Sequence, residues 1–154
     1  MDLSDLISSE GIFSSLKAKS KKHALQELSA RAAPLTGLPE RDIFDTLLQR
    51  ERLGSTGVGQ GIAIPHGKLA GLDGIIGLFA RLEKPIDFEA VDGEKVDLVF
   101  LLLAPESAGA DHLKALARIS RFLRMPSAVE NLRAAGTPEQ IQTVFTEAEK
   151  EHAA

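Results

Sequence analysis

"VDLVFLLLAP", Val96 to Pro105, is a nearly unbroken apolar run that opens on β-branched residues and closes on a proline. A strand with one wet face alternates polar and apolar residues, and this one does not. It reads as a strand covered on both faces, which belongs inside a sheet flanked by helices. A buried helix segment has a similar composition, but Pro105 stops the run early. The run is also far short of the roughly 20 residues that cross a bilayer as a helix. The expected class is α/β, with a central β-sheet covered by helices on both faces.

The neighbouring sequence fits that frame. Upstream, "IIGLFARL" reads as a second strand, "PIDF" as a short extended piece, and Asp92-Gly93 as a tight turn. Downstream, "ADHLKALARISRFLRM" has helical spacing, with Asp111 as expected N-cap and Leu113, Leu116, Ile119, Ser120 and Leu123 on the inner face. "PSAVENLRAA" is a shorter helix. In "TPEQIQTVFTEAEK", Thr137 caps, Pro138 comes first and Gln140 stands three residues on, a helix entry signal.

Toward the N-terminus, Ser20 can cap "KKHALQELSARA", with Ala24, Leu25, Leu28 and Ala32 on one face. Pro39 starts "PERDIFDTLLQRER", where Ile43, Phe44, Leu47 and Leu48 follow the helical period and Gly54 supplies the stop. Eight of the 13 glycines fall between Gly54 and Gly77, so that stretch reads as loops and short strands. The order is α, α, glycine-rich loop, strands, α, α, α. No repeat or linker interrupts it, and residues 1–154 are expected to form a single domain.

The totals exclude several classes. A net charge of -4 argues against a general nucleic-acid binder. The absence of cysteine removes disulfides, thiol catalysis and cysteine-based zinc sites. "MDLSDLISSEGIF" is acidic where a signal peptide is basic, and no run is long enough to insert in a membrane, so a cytoplasmic location is expected.

The glycine-rich stretch ends in "IPHGK". It is not a P-loop: Leu69 follows Gly67-Lys68, and Ile62 stands where the first glycine is needed. "GVGQG" brings its third glycine one residue early for a dinucleotide fingerprint. No histidine pair has metal-ligand spacing, and nothing local supports a Ser55–His66 hydrolase dyad. What remains is His66 between Pro65 and Gly67. Gly67 removes a side chain beside the ring and would let a bulky partner approach. A neutral imidazole, with an ordinary pKa of about 6.5, is a nucleophile suited to accepting a phosphoryl group. Glycine-rich backbone can offer N–H groups to phosphate oxygens. From this window alone, a plain turn residue is the simpler reading.

"RERLGSTGVGQGIAIPHGK", Arg50 to Lys68, resembles the active-site signature of the enzyme IIA domains of the phosphotransferase system, mannitol/fructose class. The nitrogen-related, PtsN-type branch is the most similar. "LSDLIS", "KAKSKKHALQELS", "FEAVDGEKVDLVFLLLAP" and "HLKALARISRFLR" resemble the same family in the same order. The resemblance implies the mannitol-type IIA fold, with a central mixed β-sheet. It implies that His66 takes phosphate from an HPr-type phosphocarrier, a nitrogen-branch paralogue, most naturally on Nε2. Arg50 would clamp the phosphoryl group, with Arg52 as a competitor on spacing alone. His112, at a helix start, would donate to phosphate. Ser55 and Thr56 are candidate hydroxyl donors to phosphate, with Gly67 as further phosphate-binding support, and Ile62 and Ile64 are candidates for an apolar docking rim. His23, His152 and the lysines at 17, 19, 21 and 22 read as solvated bystanders.

No metal or cofactor is implied. The function implied is a transferase-type phosphocarrier rather than a free-standing turnover enzyme. It would regulate target proteins by phosphorylation state, in potassium transport, sensor-kinase components or nitrogen and carbon metabolism. The alternative is a sugar-uptake IIA handing phosphate to a IIB component for fructose or mannitol.

Overall fold

The computed structural model describes residues 2–153. In chain order the elements are α1 (Leu3–Leu6), β1 (Ile7–Leu16), α2 (Lys21–Thr36), α3 (Glu40–Arg52), β2 (Gly57–Gly59), β3 (Ile62–Ala63), β4 (His66–Leu69), β5 (Ile76–Ile86), β6 (Val96–Pro105), α4 (Ala110–Phe122), α5 (Pro126–Ala134) and α6 (Pro138–Ala153). The six strands form one mixed sheet in the order β1-β5-β6-β3-β2, with β4 also paired to β6. The expected architecture holds.

Strand β6 sits inside the sheet, and its side chains divide between two cores. Leu98, Phe100 and Leu102 face one side, packed with Ile119 of α4, Leu132 of α5 and Phe145 of α6. Val99, Leu101 and Leu103 face the other, packed with Leu25 and Leu28 of α2 and Ile43 and Leu47 of α3. This is why the run lacks alternation: neither face of β6 meets water.

Strands β3 and β4 both run parallel to β6 and keep one register, Ile62 against Leu98 and His66 against Leu102. Between them Leu102 N–H donates to the Pro65 carbonyl at 3.0 Å. Together they form one line beside β6, interrupted at Pro65, which has no N–H to give; β2 pairs with the β3 half, and the β4 half pairs only with β6. Alternation along this line puts Ile62, Ile64, His66 and Lys68 toward the α4 side. Gly67 and Leu69 point toward α3.

The caps at Ser20 and Thr137 form: His23 N–H donates to Ser20 Oγ at 3.1 Å, and Gln140 N–H to Thr137 Oγ1 at 3.2 Å. Other expectations need correction. Residues 7–16, whose pattern predicts no element, form β1, parallel to β5 with two register shifts. Its burial does not alternate cleanly, so the period of two is hidden. "PIDF" is not separate, because Pro85 and Ile86 complete β5 after a register irregularity. Pro39 is the N-cap of α3 rather than its first residue. Helix α4 is capped at Gly109, and Asp111 lies in its first turn. The buried stripe is His112, Ala115, Ile119 and Phe122, while Leu113 is 68% exposed. Leu116, Ile119 and Leu123 pack against the core as expected, and Leu113 is the residue that leaves this face, because the stripe begins at His112 instead.

Candidate active site

The imidazole of His66 is half-buried at the edge of the sheet, held at both nitrogens. Nδ1 lies 2.9 Å from the Ile64 carbonyl oxygen, which can only accept, so Nδ1 carries the proton and donates. Nε2 therefore keeps its lone pair. Arg50 Nε donates to it at 3.3 Å, and Arg50 Nη1 donates to the Gly54 carbonyl at 2.9 Å. Arg50, not Arg52, reaches the ring; Arg52 is exposed.

Gly67 explains how α3 comes close enough. A Cβ there would stand 2.7 Å from Thr46 Cγ2. Thr46 and Arg50 are four residues apart on one helix face. The missing side chain lets α3 lie against β4, so Arg50 rounds the free edge to His66. Gly67 is buried, so its role is helix–strand packing rather than the open approach for a partner that the sequence suggested.

His112 approaches from the other side. The two rings are 5.6 Å apart, tilted by 60°. His112 is 7% exposed, and its Nε2 is buried without a hydrogen-bond partner among the described residues. It occupies the third position of α4, where helix N–H groups favour an anion.

Burial lowers the His66 pKa below its ordinary 6.5; the bond to Ile64 and the Glu51 charge oppose this, while Arg50 adds to it. Burial likewise lowers His112, with His66 and Lys68 adding to the effect. Both rings are neutral at pH 7. A neutral ring with an unprotonated Nε2, a guanidinium bonded to that nitrogen and a second imidazole nearby can receive an electrophile that carries anionic oxygens.

The remaining candidates fall elsewhere. Ser55 Oγ donates to the Phe88 carbonyl at 2.7 Å and accepts from Gly57 N–H at 3.0 Å, so it holds a turn and forms no dyad with His66. Thr56 is buried, and its hydroxyl donates to Glu51 Oε2. Ile62 and Ile64 are 2% and 3% exposed within the core, so they are no docking rim. The exposed apolar residues next to the site in sequence are Leu53, Val58 and Leu113, at 85%, 53% and 68%. His23 accepts from Lys19 N–H and faces Glu27 in α2. His152 lies outside the residues whose side chains are described. Sequence reasoning missed Glu51 and took Lys21 for a solvated lysine, yet they form an ion pair of 2.8 Å. A charged residue beside Arg50 near a helix end carried no signal that it was buried. Among the described residues no group of three or more acidic, histidine or cysteine side chains is placed to hold a metal.

Residues 5–148 match the family described as phosphoenolpyruvate-dependent sugar phosphotransferase system, EIIA 2. The chain belongs to this family. Within it, the chain is 61% identical over 145 residues to the nitrogen regulatory protein of Bradyrhizobium diazoefficiens, covering 94% of this chain and 95% of that one. The crystal structure of the nitrogen regulatory protein IIA-Ntr from Neisseria meningitidis superimposes with a TM-score of 0.87 at 35% identity, covering 92% of this chain and 97% of that one. The mannitol IIA of Escherichia coli shares the fold, with a TM-score of 0.75 at 20% identity over 90% of this chain and 97% of that one. EIIA 2 membership and similarity to nitrogen regulatory proteins agree with the resemblance carried by Arg50 to Lys68. Among the described residues no helix is long and apolar enough to cross a membrane.

Proposed function

We propose that this EIIA 2 chain is a cytoplasmic phosphohistidine carrier of a nitrogen-related phosphotransferase system, with His66 Nε2 as the acceptor atom. The observation that carries the reading is the ring's fixed tautomer: Nδ1–H is spent on Ile64, and the Nε2 pair stands beside Arg50. The donor is the phosphohistidine of an HPr-type protein. Its N–P bond breaks, the electron pair returning to the donor ring, as the Nε2 pair of His66 forms the new N–P bond. Arg50 moves its hydrogen bond from the ring to a phosphoryl oxygen, and His112 Nε2 turns a proton toward another. Transfer of this kind runs through a loose transition state, so alignment and charge stabilisation carry most of the catalysis. Leu53, Val58 and Leu113 supply exposed apolar area for the docked carrier.

Phosphorylation sets phosphoryl oxygens on a ring that was neutral, and with Nδ1 still protonated the surface gains about one negative charge, so it presents two electrostatic faces to regulatory targets. Potassium-transport and sensor-kinase components are the partners this reading assigns. Incubation with phosphoenolpyruvate and the upstream carriers tests it. Acid-labile, alkali-stable label on the wild type and none on His66→Ala is the expected result. Label that persists in that variant moves the site elsewhere. Rapid discharge to a fructose-type IIB would replace the regulatory reading with sugar uptake.

A further inference from the structure

Glu51 is the least expected side chain near the site. It is a carboxylate whose side chain is 3% exposed, one residue from Arg50 and at the end of α3. Three donors converge on it: Lys21 Nζ at 2.8 Å, Thr56 N–H at 3.0 Å and the Thr56 hydroxyl. Lys21 comes from the first turn of α2, and its ammonium also lies 5.1 Å from the Phe88 ring. A buried ion pair is a weak contributor to stability compared with an apolar pair of the same volume. Stability alone does not account for placing one here.

The hydrogen bonds leaving this network supply the account. Thr56, held by Glu51 at its N–H and hydroxyl, accepts at its carbonyl from Ile64 N–H at 3.0 Å. Ile64 in turn accepts the Nδ1 proton of His66. In the other direction, Gly54 N–H donates to the Glu51 backbone carbonyl at 3.1 Å, and the Gly54 carbonyl accepts from Arg50 Nη1. Arg50 Nε then meets His66 Nε2. Two chains of bonds start at one residue and end on the two nitrogens of one ring.

We propose that Glu51, neutralised by Lys21, is the positioning residue of the site: it fixes the tautomer of His66 through Thr56 and Ile64, and holds the turn that aims Arg50. It touches neither the reacting atoms nor a ligand. Loss of its side chain lets the 53–56 turn shift, so the acceptor for Nδ1–H and the anchor for Arg50 move together. The rate consequence rests on the proposed phosphoryl transfer; the ring consequence does not.

The experiment uses the full chain, unphosphorylated, with ¹⁵N-detected imidazole spectra, followed by the rate of labelling from the phosphorylated carrier. In the wild type a single Nδ1–H tautomer is expected. Glu51→Gln should give mixed tautomers and slow labelling about tenfold, the scale at which supporting hydrogen bonds act on a neighbouring ligand. It should also lower the His66 titration midpoint, because a carboxylate that favours the charged ring is gone. The other charged or titratable groups acting on that ring pair are Arg50, His112 and Lys68, all retained. Thr56→Val keeps the carboxylate, so the tautomer should loosen and the midpoint should fall less than in Glu51→Gln, through the weakened Ile64 bond alone. Should Glu51→Gln fail to fold, the Lys21→Met, Glu51→Gln double variant removes both buried charges and is read in the same way. Variants that fold, even with a lower melting temperature, and keep the wild-type tautomer, midpoint and rate overturn the proposal. A wild type that shows the single tautomer but accepts no phosphate overturns the phosphocarrier reading and leaves the role of Glu51 standing.

Discussion

The Nε2 lone pair of His66 is available because the Ile64 carbonyl accepts the ring's proton at the opposite nitrogen. Burial keeps that ring neutral below its usual titration range, and Arg50 reinforces the effect. Two predictions belong at this scale. First, the acid limb of the labelling rate lies below pH 6.5, and Arg50→Gln moves the His66 midpoint upward by removing a repelling charge. NMR titration of the ring checks the shift. The same variant should slow labelling about 10²-fold, the usual cost of one lost donor to developing charge. Second, His66 and His112 both have lowered pKa values in the fold. The unfolded chain then binds more protons as pH drops below 6.5, so their contribution to stability, complete above that value, is lost toward the folded-state pKa values. Urea midpoints at about pH 7.5 and 5.5 should differ less in a His66→Gln, His112→Gln double variant than in the wild type. His66 was legible in the sequence as a nucleophile candidate, through a histidine set between proline and glycine. Glu51 was not, since burial of a charge depends on a lysine thirty residues earlier that only the fold brings near.

Among the elements, α3 and β4 make the site by their closeness. Gly67→Ala should cost about 1–3 kcal/mol, because the Thr46 methyl has to give way to the added carbon. Denaturant unfolding reads that cost. The ring spectrum should also show the Arg50 contact weakened, since α3 is pushed from the strand that carries His66. Caps and helical faces were largely readable here: Ser20 and Thr137 act as their neighbours indicate. Strand β1 was not, because its bulges against β5 break the alternation by which a strand is recognised. In α4 the expected face holds at Leu116, Ile119 and Leu123 but not at Leu113, since His112 takes the core-facing place in the first turn.

For the whole molecule, the run from Val96 to Pro105 implied helices on both sides, and two separate cores occupy those sides. Phe145 of α6 packs against Phe79, Phe100 and Phe122, with ring centroids 5.4, 5.9 and 5.0 Å away. Phe145→Ala should lower the unfolding free energy by about 3–5 kcal/mol while the folded fraction still takes label at His66. Urea unfolding, read beside labelling, checks both halves. Strand order was beyond the sequence, because which edges pair depends on contacts far apart along the chain. The most direct measurement is a long-range ¹H–¹⁵N spectrum of the chain before and after incubation with the phosphorylated carrier. A large shift and a phosphorus coupling at Nε2 of His66, with Nδ1 still protonated, is the expected result. Phosphorus bonded to Nδ1, or to any other side chain, would contradict it.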